Sequence, residues 1–92
     1  MITLEMVKNA EKAMNEGFAK KRILWNTIIA TAEAEGRTHR GEYGSLEHDL
    51  TKEEQHAIVE MNNANGVLYE TWKALRNQRA REQRKARLEA RA

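Results

Sequence analysis

Apolar residues in the first third of the chain recur at helical intervals: Leu4, Val7, Ala10, Met14, Phe18, Trp25, Ile28, Ile29 and Ala32. Thr3 stands where a helix would need a capping side chain, and Glu5 places a carboxylate in the first turn, at the positive end of the helix dipole. Gly17 interrupts the pattern at a cost of about 1 kcal/mol relative to alanine. The residues after it, Phe18-Ala19-Lys20-Lys21-Arg22, lack a cap and would put three cations at a helix N-terminus. One helix over about 3–35, weakened or bent at Gly17, is therefore predicted, with Gly36 as its stop. Gly36–Leu50 carries three glycines, mixed charges and no apolar period, so it is expected to be a loop of about 15 residues, with a short turn at Ser45-Leu46-Glu47.

The second helix announces itself at Thr51-Lys52-Glu53-Glu54. This is a capping box, in which Thr51 bonds the Glu54 amide and Glu54 reaches back to that of Thr51. Ile58, Met61, Asn65, Leu68, Trp72 and Leu75 follow at spacings of 3, 4, 3, 4, 3, a heptad seam of the coiled-coil kind. The same register continues through Arg79, Glu82, Ala86 and Glu89, so the seam ends while helical composition runs on to about 88–90. Asn62-Asn63-Ala64-Asn65-Gly66 contains poor helix formers, but the unbroken seam across it predicts continuity.

The expected fold is all-α: a long antiparallel helical hairpin over 1–75, with helices at about 3–35 and 51–75, and a basic helical extension over 76–92. A hairpin alone leaves part of each apolar stripe wet. Self-association into a homodimeric four-helix bundle would cover it, with Asn65 either fixing register and oligomer state at an inner position or facing solvent on a rotated helix. Trp25, Trp72 and Phe18 are expected on the inner seams, with Tyr69 at the edge.

Charge alters this picture. The 92 residues hold 16 Lys+Arg and 14 Asp+Glu, a net charge of only +2. Resolved along the chain, residues 1–72 carry −4. From Lys73 onward eight cations face only Glu82 and Glu89, giving +6. Lys73, Arg76, Arg84, Arg87 and Arg91 fall on one helical stripe about 27 Å long, with Arg79 beside it. In composition Arg76–Arg87 is similar to the arginine-rich helices that dock in RNA grooves.

Candidate chemistry is otherwise sparse. Without cysteine there is no disulfide, thiolate zinc site or cysteine nucleophile, and Ser45 is the only serine. No apolar run approaches the ~18 residues of a membrane span. The first residues, Met1-Ile2-Thr3-Leu4-Glu5, lack a basic-then-apolar leader pattern, so a cytoplasmic setting is expected. Glu53-x-x-His56 with Glu60 puts metal-ligand types on one helix face, but carboxylate-bridged metal sites need two such motifs and further glutamates. A surface charge pair is expected there instead, with no metal and no cofactor.

The expected function is thus non-enzymatic binding. Nucleic acid, RNA or DNA, would be held at its phosphates by Lys73, Arg76, Arg79, Arg84, Arg87 and Arg91. The alternative is an interaction module, such as an inhibitor, adaptor or assembly factor, docking the same cations on an acidic protein. A third option is a small-anion sponge using Lys20, Lys21, Arg22 or loop cations. Arg37, His39, Arg40 and Tyr43 mark the loop as a secondary binding surface.

Overall fold

The computed structural model describes residues 1–91, so the last residue of the 76–92 extension lies outside the described residues. Two long helices are joined by a short connection that contains a small antiparallel strand pair. Helix α1 spans Leu4–Ala34, strand β1 Thr38–Arg40, strand β2 Leu46–His48 and helix α2 Lys52–Arg91. Two compact units result. One brings Met1–Phe18 together with the segment from Ala64 onward, and the other is Ala19–Asn63.

Both helix starts form as expected. The Thr3 hydroxyl accepts the Met6 amide at 3.1 Å. At α2 the capping box closes in both directions, with the Glu54 amide on Thr51 Oγ1 at 3.1 Å and the Thr51 amide on Glu54 Oε1 at 2.8 Å. Neither Gly17 nor Gly66 breaks its helix. Helix α1 ends in a Schellman arrangement at Gly36, whose φ of 70° is open to glycine but costly for other residues. The Gly36 amide bonds Glu33 O and the Arg37 amide bonds Ala32 O, satisfying carbonyls that the helix end would leave bare.

The connection departs from the expected strand-free loop. Thr38, His39 and Arg40 pair with His48, Glu47 and Leu46 respectively, so Leu46 and Glu47 extend a strand instead of making a turn. The reversal lies earlier, at 41–44, where the Gly44 amide bonds Gly41 O and the Gly41 amide bonds Ser45 O. Three-residue strands are too short for two-residue alternation to emerge from a sequence. The two glycines that suggested an irregular loop are what close the hairpin, Gly44 with a φ of 78°.

In the unit formed by residues 1–18 and 64 onward, the inner face of α1 is Val7, Ala10, Met14 and Gly17, at spacings of 3, 4, 3. Asn65 and Leu68 of α2 meet Gly17. The Asn65 amide nitrogen donates to Gly17 O at 3.1 Å, and Asn65 is 5% exposed. Its side chain therefore neither faces solvent nor stands free for a second copy, as the two expectations had it, because it is already bonded within the chain. A Cβ on residue 17 would lie 2.5 Å from Asn65 Oδ1 and 3.1 Å from Leu68 Cδ1. Phe18, expected on the inner seam, is displaced to its flank and is 43% exposed, since residue 17 takes the inward position. Packing also reaches past Leu75. Arg79 and Glu82 are half-buried, and the Glu82 carboxylate accepts the Ile2 amide at 2.9 Å.

In the unit Ala19–Asn63, Ile28 and Ala32 are buried and Leu24, Ile29, Ala57, Ile58 and Met61 are half-buried. Trp25 is not an inner residue either. It lies 43% exposed at the edge of an open groove with Lys21, Ile58 and Asn62, while Leu24 turns inward in its place.

The two helical glycines are predicted to respond oppositely to alanine. Gly17→Ala gains helix propensity, but it must expel the Asn65 side chain from its buried bond, for a net loss of about 2 kcal/mol, roughly 10 °C in Tm. Gly66, whose added Cβ would meet nothing within 4 Å, should gain up to about 1 kcal/mol as Gly66→Ala. Thermal melts followed at the helical circular-dichroism band distinguish the two.

Candidate nucleic-acid interface and the hairpin tip

The two groups of cations picked out by the sequence meet different fates. At the tip, Arg37 is fully engaged. Its guanidinium bonds both carboxylate oxygens of Glu54, at 2.7 and 3.2 Å, and Glu35 Oε2 at 2.8 Å, and it also donates to Asp49 O. Glu54 Oε1 simultaneously caps α2. These contacts push the Arg37 pKa further up, Glu54 contributing most and Glu35 next. In turn Arg37, followed by the Thr51 backbone, holds the Glu54 carboxyl below its usual range.

His39 sits between two carboxylates, with Nδ1 2.9 Å from Asp49 Oδ1 and Nε2 2.9 Å from Glu47 Oε2. A histidine donates from both ring nitrogens only as the imidazolium, and its pKa is raised accordingly, by Asp49 most and by Glu47 less. His48 pairs with Glu33 of α1 at 2.9 Å, and Arg40 donates to Gly44 O at 3.0 Å across the turn. Of the four loop candidates, Arg37, His39 and Arg40 thus hold the tip together, and Tyr43 alone projects freely, 93% exposed. Nothing in composition separates an arginine that docks a ligand from one that clamps a loop. The useful signal was Glu54, which the capping box already placed near the end of the connection.

His56 Nε2 and Glu60 Oε1 pair at 2.9 Å on the exposed face of α2. Among the described residues no group of three or more metal-ligating side chains comes together.

The extension differs from the tip. Lys73, Arg76, Arg84, Arg87 and Arg91 are exposed, and Arg79 is half-buried, lining an open groove of about 290 Å³ with Ile2, Leu4, Glu82 and Ala86. From Lys73 onward the single ion pair among the described residues is Lys85 to Glu89, at 4.0 Å. Glu82, also within pairing distance of Lys85 by sequence, is turned to the Ile2 amide instead. The first two cations of the stripe lie on aromatic rings. The Arg76 guanidinium is 4.4 Å from the Trp72 ring centroid, and Lys73 Nζ is 5.9 Å from that of Tyr69. The Tyr69 and Trp72 rings are 5.9 Å apart and tilted by 46°. The Trp72 indole N–H is shielded from solvent, with no acceptor among the described residues.

Neither family models, curated proteins nor solved structures offer a match to this chain. No helix among the described residues is long and apolar enough to cross a membrane.

The tip's two titrating groups act in opposite directions. With its pKa raised above 6.5, His39 contributes stability in full below that value and loses it as pH rises through the folded-state pKa. With its pKa lowered from 4.5, Glu54 contributes in full above that value and loses it as pH falls through the lowered pKa. The tip should therefore be most stable between those two values. Raising the pH from about 6 to about 9 should lower Tm, and His39→Gln should flatten that decline.

Proposed function

We propose that the protein is a non-enzymatic helical binding protein that holds nucleic-acid phosphates along the C-terminal part of α2. The observation that carries this is the state of Arg84, Arg87 and Arg91. All three are exposed on a continuous helix, with no carboxylate within 4.0 Å among the described residues. At the tip, by contrast, Arg37 is paired with Glu35 and Glu54. A row of guanidinium groups left without carboxylates suits an external polyanion. Each group offers a planar fork to phosphate oxygens, and the stripe spans several phosphates of a duplex backbone, which carries one charge per about 1.7 Å. Such contacts position the protein without reading sequence.

The same proposal includes a homodimer. Val7, Met14, Ile28 and Ala32 are the buried apolar residues, and no large side chain is fully enclosed among the described residues. A second copy would supply the missing burial.

Binding to a labelled duplex should fall steeply with salt, with a log–log slope of about −4.5 if the five stripe cations engage. The full-length triple variant Arg84→Gln, Arg87→Gln, Arg91→Gln should reduce that slope by about 3 and keep its helicity. An unchanged affinity in the triple variant would count against the proposal. Sedimentation equilibrium at micromolar concentration should return twice the chain mass, and a concentration-independent monomer mass would remove the dimer.

A further inference from the structure

We infer that the nucleic acid bound by this protein is single-stranded, and that Tyr69 and the Trp72–Arg76 stack are where its bases lie. This rests on the phosphate-binding proposal and narrows its partner.

Tyr69, Trp72, Lys73 and Arg76 occupy positions i, i+3, i+4 and i+7 of α2, one helical face on which each aromatic residue is followed four positions later by a cation. The face lies directly ahead of Arg84, Arg87 and Arg91 on the same helix. A strand tracked by those three arginines would reach it without leaving α2.

The ring of Tyr69 is exposed enough to receive a base, at 41% for the residue. Arg76 is exposed as well, with its guanidinium stacked 4.4 Å over Trp72. The guanidinium is thereby held against the indole while the residue stays exposed. Bases stack on tyrosine rings and on guanidinium planes alike. They can do so only when unpaired, because a duplex keeps its base faces inside the stack. Phosphate-only binding would call for cations alone. Pairing two of the cations with aromatic rings, at the end of the stripe nearest the body, is the arrangement that single-strand binders use.

The complementarity also points away from an acidic peptide. A carboxylate-rich partner would engage Lys73 and Arg76 through their N–H donors and gain nothing from the Tyr69 ring. A second copy of this chain could cover Tyr69 for its apolar area, and it would do so whether or not nucleic acid is present.

The test uses the full-length chain, fluorescein-labelled oligo(dT) of about 15 nucleotides and the matching dA·dT duplex, read by anisotropy at fixed salt. Preference for the single strand by about tenfold or more is expected. Tyr69→Leu keeps apolar bulk and removes the π face, and should narrow the single-strand to duplex ratio to about twofold. Arg76→Lys keeps the charge and removes the plane, so a fall of about fivefold in single-strand affinity would not be explained by electrostatics. Helicity and Tm of both variants establish that they are folded, with Arg76→Lys the informative one should Tyr69→Leu melt early. Equal affinity for strand and duplex, unmoved by either variant, would overturn the stacking and leave the phosphate proposal standing. Absence of binding to both probes would overturn the two together. A wild-type dimer that becomes monomeric as Tyr69→Leu would assign this face to the second copy and overturn the inference.

Discussion

Residue 17 has no side chain, and the helix pairing around it depends on that. The Asn65 amide can reach the Gly17 carbonyl, and Leu68 can close over the same spot, only where no Cβ intervenes. A buried amide left without a partner is costly, so the hydrogen bond favours one register over slides of α2 along α1. With the register set, Val7, Ala10 and Met14 turn inward with Gly17, and Phe18 falls to the flank. The helix-weakening effect of a mid-helix glycine is thus offset by a contact that no other residue permits.

Much of the architecture was legible in the sequence because it rests on local rules. Thr3, Gly36 and the Thr51–Glu54 box mark helix ends through hydrogen bonds within a few residues, and each forms as expected. The seam Ile58–Leu75 was legible through its periodicity. What escaped needed information from the facing helix. Gly17 reads as a defect until Asn65 is opposite it, and Trp25 reads as core until Leu24 is found half-buried and it is not. The strand pair escaped for another reason, since it is only three residues long and held by turns and charge pairs. At the candidate interface, the cation stripe was visible as spacing. The stacking of Lys73 and Arg76 on Tyr69 and Trp72 could have been found from the same i, i+4 intervals.

The chain uses arginine in two ways, and the neighbouring carboxylates decide which. Arg37 is surrounded by Glu35, Glu54 and the Asp49 carbonyl, so its donors are consumed in joining the connection to the start of α2. Arg84, Arg87 and Arg91 follow a stretch whose one nearby inward carboxylate, Glu82, is committed to the Ile2 amide.

The sequence separations of the closing contacts increase from the tip to the chain ends. Asp49 bonds Arg37 across 12 residues, Glu54 bonds Arg37 across 17, Asn65 bonds Gly17 across 48 and Glu82 bonds Ile2 across 80. Closing the last of these directly from an open chain would carry the largest loop entropy, whereas each contact made after its inner neighbour closes only a short additional loop. An order of closure from the strand pair toward the ends is therefore the least costly in loop entropy. In that order the segment carrying the cations is the last to be fastened.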